Sequence, residues 1–199
     1  MAREIASRLG VPVKFVAYAS PGELADAAEA NVWDIGLIGA EPQRAEKIAF
    51  TPAYVEIEAT YLVPAGSKLA SIAEVDRPGI RIAVFGRSAY GLWLERNVRQ
   101  ATLVRGDSID ASYKLFIDEK CDALAGLKPR LLKDVQALPG ARILAGRFSA
   151  VQQAIGTARK NAAAIPFLEN FVAEEKASCL VARLIARQKV KGLSVAAAA

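Results

Sequence analysis

Histidine is absent from the 199 residues, and cysteine occurs only twice. Without an imidazole there is no His-based triad, no histidine general base and none of the usual zinc sites. Cys121 and Cys179 lie far apart with no CxxC spacing, so the pair makes no metal site. Two buried free thiols are the expected state, with a disulfide as the alternative. No run approaches the roughly 20 apolar residues that a membrane helix needs, so a membrane-spanning chain is not expected. The opening MAREIASRLG shows no charged-then-apolar leader with a small-residue cleavage site. On that reading the chain has no export signal and is cytoplasmic if Met1 is the true start.

What is present is the composition of a folded protein, 53% hydrophobic and 24% charged. The length suits one ordinary domain or two small lobes. Twenty-six basic against 21 acidic residues give a net charge of +5. That balance suits an anionic ligand, while the scatter of Lys and Arg gives no nucleic-acid stripe.

Strand and helix patterns alternate along the chain. Residues 2–9 read as a helix ended by Gly10, followed by a strand at 12–18. Ser20-Pro21 starts a second helix, a capping residue followed by proline at the first helical position, ending near Asn31. A strand at 34–38, a short helix carrying Arg44 and an extended run at 54–63 come next. After the turn at 64–67, strands at 80–85, 101–104, 121–125 and 141–144 alternate with helices at 88–99, 108–118 and 129–138. Residues 148–157 are extended again, and a helical stretch covers about 162–188. Short strands alternating with helices argue for parallel sheets with helices on their faces. Taken alone, this order fits one continuous doubly wound sheet as well as it fits two lobes joined by the extended runs.

The segment 33–68 carries the most specific pattern. Asp34 and an apolar strand run into Gly39 and Ala40, then Arg44 on a short helix, then Phe50-Thr51-Pro52-Ala53-Tyr54 and a second extended run. That order resembles the polar amino-acid type of bacterial solute-binding protein, the extracellular receptors of ABC importers. The resemblance covers nearly the whole chain in element order, with motif agreement concentrated in 33–67 and weaker support at 80–90. It implies an α/β, two-lobed fold like that of the periplasmic binding proteins. Each lobe would be a mostly parallel sheet flanked by helices, with two crossover strands joining them. Lobe 1 would comprise residues 1–62 plus 154–199, and lobe 2 residues 63–153. Hinge closure on a small carboxylate-bearing ligand, an ABC permease as partner and a periplasmic location are further implications. No covalent chemistry, cofactor or metal is expected.

Arg44 is the leading site residue, because a guanidinium matches a carboxylate with planar, forked donors. In the resembled family this Arg grips the ligand's carboxylate; on its own, a surface pairing with Glu41 or Glu46 is the plainer alternative. Gly39, Ala40 and Glu41 lie where the strand meets the helical turn, the place where open parallel sheets bind ligands. The hydroxyl residues common there in the family are replaced. In the second lobe Arg87, Ser88, Ala89 and Tyr90 enter a helix whose free N–H groups favour an anion. Ser88 falls on the family's hydroxyl position and is also a plain helix cap.

Two departures stand out. The family places an Asp shortly after the strand at 121–125 to hold the α-ammonium, and here Leu127 and Lys128 occupy that stretch. An ammonium without a carboxylate would be desolvated and unpaired, so a small anion without an amine is the expected ligand. The family's first strand, which precedes the helix matching residues 2–9, is also missing. Its absence would leave an unpaired edge in lobe 1 and a contact for a dimer. Two alternatives follow: a receptor-like fragment or interaction module that binds no ligand, and a dehydratase acting on a prephenate-like acid, with Glu41 as general acid.

Overall fold

The computed structural model describes residues 1–197. Its helices are α1 (Ala2–Leu9), α2 (Pro21–Asp26), α3 (Pro42–Ala45), α4 (Ala89–Asn97), α5 (Ile109–Asp118), α6 (Lys128–Asp134), α7 (Ile165–Ala177) and α8 (Leu180–Gln188). The strands are β1 (Gly36–Gly39), β2 (Ile48–Phe50), β3 (Val55–Val63), β4 (Arg81–Phe85), β5 (Thr102–Gly106), β6 (Ala123–Leu127), β7 (Arg142–Ile143), β8 (Ser149–Ala158) and β9 (Leu193–Val195). Local chemistry sets several helix starts. The hydroxyls of Ser20, Ser88 and Ser108 each accept a backbone N–H from the first turn of α2, α4 and α5. α1 stops at Gly10, which takes the left-handed conformation at φ 65° and donates to the last turn.

The strands join in the order β1-β8-β3-β6-β4-β5, with β2 added on β8 and β7 and β9 on β3. The long strands β3 and β8 lie antiparallel, from Val55 opposite Gln153 to Ala59 opposite Ser149. They are the two expected extended runs, and they form the centre of the sheet. Parallel pairing occurs between β4 and its neighbours β5 and β6. The remaining ladders, each containing β3 or β8, are antiparallel.

Buried apolar residues fall into three groups. Ile5, Tyr54, Ile155, Phe171 and Val181 pack between α1, α7, α8 and the sheet. Tyr61, Val84, Tyr90 and Leu94 form a second group under α4. Leu62, Phe116, Leu124 and Leu131 form a third under α5 and α6.

Three expectations are corrected. No strand forms at 12–18, and among the described residues its backbone makes no hydrogen bond to other backbone groups. Among the described residues no strand pairs with the segment, and Phe15 is 64% exposed. The helical stretch at 162–188 is broken into α7 and α8 at Cys179, which sits at φ 60° and needs the left-handed region. Cys121 is buried, but Cys179 is exposed, and both are free. β9, which pairs with Val55–Ile57 of β3, was not anticipated at all.

Candidate ligand-binding site

β1 ends at Gly39, and the N–H of Ala40 then donates to Gln152 O at 2.8 Å, holding the chain against β8. Pro42 opens α3, whose single turn carries the Arg44 side chain back over the end of β1. There its Nη1 donates to Gly39 O at 2.7 Å and its Nη2 to Arg87 O at 3.0 Å. Arg44 is only 5% exposed. Burial lowers its pKa to about 10; Glu41 opposes that shift and the charge of Arg87 adds to it. At neutral pH it is a buried cation.

No ion pair of Arg44 is formed among the described residues. The neighbouring carboxylates are engaged elsewhere: Glu41 pairs with Arg96, and Asp26 with Arg87 at 2.7 Å. The two neutral carbonyls satisfy hydrogen bonds but leave the charge uncompensated, which is an arrangement suited to an anion.

The facing wall comes from the end of β4 and the start of α4. Ser88 Oγ donates to Phe85 O at 2.6 Å and accepts from Gly91 N at 2.9 Å, so this hydroxyl fixes the loop that presents Arg87 O. Tyr90 lies under the same turn, with burial pushing its pKa up to about 12. Between the walls is a cavity of about 300 Å³. The ends of β1, β4 and β6 converge there, with side chains of β3 and β8 as its floor.

Of the residues expected at the site, Gly39, Arg44, Ser88, Ala89, Tyr90 and Leu127 line this cavity. Ala40, Glu41, Arg87 and Lys128 are not among its lining residues. The Arg87 side chain turns to Asp26 and, with Arg44, lines a separate pocket of about 170 Å³, and Lys128 Nζ donates to Glu58. The expected cluster of three cations therefore does not form; Arg44 stands in the cavity without the other two.

Sequence reasoning missed Tyr18, Leu24, Ile57, Ile109, Val151 and Gln153, all of which line the cavity. Val151 and Gln153 are two apart on β8 and so share a sheet face, a signal available in the alternation of that run. Tyr18 carried no comparable signal, because its segment reads as a strand and forms none. A larger groove of about 560 Å³ runs between α1, residues 11–16 and residues 32–37. It is lined mainly by apolar side chains and has no buried cation, so it is not the candidate.

The molecule resembles many solved structures. An ancestral amino acid-binding protein, a precursor of cyclohexadienyl dehydratase, matches with a TM-score of 0.74 and 17% identity over 94% of this chain and 82% of that one. The cysteine-binding protein from Campylobacter jejuni gives 0.74 and 18%, covering 94% and 76%. The GluR0 ligand-binding core complexed with L-glutamate gives 0.75 and 19%, covering 93% and 85%. At these identities the likeness establishes the fold, α/β and two-lobed like that of the periplasmic binding proteins. No curated protein matches the sequence. The profile of bacterial extracellular solute-binding proteins, family 3, matches residues 1–187, and the chain belongs to that family.

Proposed function

We propose that the protein is a receptor that closes two lobes on a small carboxylate-bearing ligand and delivers it to an ABC permease outside the cytoplasm. The observation that carries this reading is Arg44: a buried guanidinium held by two backbone carbonyls and paired with no carboxylate. Its carbonyl partners come from both sides of the cleft, so a bound acid would bear on both sides at once. Such differential contact is what shifts a two-lobed protein toward its closed form. On this reading lobe 1 comprises residues 1–62 and 154–199, lobe 2 comprises residues 63–153, and β3 and β8 carry the hinge. The remaining candidate contacts are Gly39, Ser88, Ala89, Tyr90 and Leu127.

Calorimetry against small carboxylates tests the reading. Binding that is lost in Arg44→Ala supports it, and a detected ligand whose affinity ignores that change contradicts it. The dehydratase alternative draws support from one structural relative, but Glu41 is engaged by Arg96 and lies outside the lining of the cavity. We therefore favour binding without catalysis.

A second reading, an interaction module without ligand, draws on the unpaired segment 12–18 and on the outer edge of β1, which among the described residues pairs with β8 alone. That edge would also offer the contact for a dimer. Mass in solution separates the readings: a monomer that tightens on adding a carboxylate favours the receptor, and a ligand-indifferent dimer favours the module.

A further inference from the structure

The side-chain charge of the protein is concentrated in one segment. Residues 176–199 contain Lys176, Arg183, Arg187, Lys189 and Lys191 and no Asp or Glu. The other 175 residues hold 21 basic and 21 acidic side chains, so this segment carries the whole excess of +5.

α8 and the turn into β9 bring four of these five cations to the surface. Arg183, Arg187, Lys189 and Lys191 are all exposed. Arg183 and Arg187 are four apart and share one face of α8, and Lys189 and Lys191 continue from its C-terminal end. None of the four forms an ion pair among the described residues. Arg183 Nη1 donates to the neutral Ser178 O at 2.7 Å, which leaves its charge uncompensated. Lys176 is half-buried, with Nζ donating to Ala197 O at 2.7 Å, and is left out of the face.

Helix stability does not account for the arrangement. Like charges four apart on a helix repel. A cation suits the last turn, where Arg187 lies, but Arg183 sits in the first turn, at the positive end of the dipole, with no acid beside it. The apolar side of α8 is already occupied, since Val181 and Ile185 pack in the group that contains Ile155 and Phe171. Between the cations the exposed side chains are those of Ala182, Ala186 and Gln188. Tight protein interfaces are anchored by aromatic or large apolar groups in a desolvated centre, and this face offers small and polar ones instead. Several flexible cations without such an anchor fit a surface of many mobile anions.

We propose that the outer face of α8, continued by Lys189 and Lys191, docks the protein on an anionic phospholipid bilayer through headgroup phosphates, without insertion into the hydrocarbon. The docking does not depend on what the cavity beside Arg44 binds.

Co-sedimentation of the full chain with vesicles tests it. At low salt, binding is expected to vesicles of phosphatidylcholine mixed with phosphatidylglycerol, and not to phosphatidylcholine alone. About 0.5 M NaCl should abolish it, because salt screens exposed charges. The combined change Arg183→Gln, Arg187→Gln and Lys191→Gln should weaken binding about tenfold or more. The same charge change at exposed lysines elsewhere, Lys68→Gln, Lys114→Gln and Lys133→Gln, should weaken it no more than about twofold. Thermal melting checks that both variants fold; if the α8 variant does not, Arg187→Gln alone should cost about fivefold. Wild type that ignores anionic vesicles at low salt overturns the proposal and leaves an acidic protein surface as the partner that fits the face. Equal losses in the two variants overturn it by assigning the binding to net charge and not to α8. Binding to phosphatidylcholine alone, or undiminished in high salt, overturns it by showing apolar contact. Tighter binding to a DNA duplex of mixed sequence overturns the bilayer as the partner.

Discussion

Arg44 and Arg87 meet through a backbone carbonyl: Nη2 of Arg44 donates to Arg87 O at 3.0 Å. The contact joins the turn after β1 to the loop after β4, so the cation nominated for ligand also ties the two walls of the cleft. A carboxylate arriving at Arg44 competes with that carbonyl and offers a charge-assisted bond in exchange. Arg44→Ala therefore removes both the anion's partner and a closing contact. Loss of about 2–5 kcal/mol of binding free energy is expected, the range for truncating one member of a buried charge pair. Arg44→Lys keeps the charge but loses the fork, and is expected to recover only part of the affinity.

Two ion pairs reinforce the same junction, Arg87 with Asp26 and Arg96 with Glu41. The first is largely exposed and worth little; the Glu41 side chain is only 9% exposed. Glu41→Gln leaves Arg96 with a weaker partner, and one of its guanidinium nitrogens already lacks a hydrogen bond among the described residues. A stability loss of about 1–2 kcal/mol is expected by chemical denaturation. In scattering the unliganded variant should be more open, whereas Asp26→Asn should change neither readout.

Gly91 packs so closely that an added Cβ would lie 2.3 Å from Phe85 O and 2.9 Å from Gly86 O. Both are backbone atoms of the loop that presents Arg87 O, so no flexible side chain can give way. Gly91→Ala is expected to cost about 1–3 kcal/mol, the range for overpacking. It should also weaken carboxylate binding, because the displaced loop is a wall of the cavity.

Asp76 accepts backbone N–H groups from Arg99, Gln100 and Ala101 at 2.9, 2.8 and 2.9 Å, fixing the entry to β5. Partial burial pushes its carboxyl pKa up, but these donors outweigh burial and the net shift is downward. A carboxyl depressed in the folded state contributes stability above its unfolded pKa and loses it as pH falls through the folded one. Asp76→Asn should therefore lower the melting temperature at pH 7. The difference from wild type should shrink as pH drops below the ordinary carboxylate range.

Much of this architecture was legible in the sequence because its signals are local. Ser20-Pro21 and Ser88 mark helix starts by capping chemistry, and both hydroxyls are found capping. The two long extended runs are β3 and β8. What failed depends on partners distant in the chain. Residues 12–18 have a strand's composition, but among the described residues their backbone pairs with no other strand. Arg87 and Lys128 sit at plausible positions, yet Asp26 and Glu58 take their charges away from the cavity. Spacing along the chain names Arg44 as a cation near the end of β1. It does not reveal that Glu41, three residues earlier, faces Arg96 and leaves Arg44 unpaired.

The most direct test of the account is a calorimetric titration of wild type and Arg44→Ala with a panel of small carboxylates at neutral pH. Measurable binding by wild type and none by the variant, with both melting cooperatively, is the predicted result. Equal affinity in the two proteins would contradict the claim that Arg44 anchors the ligand.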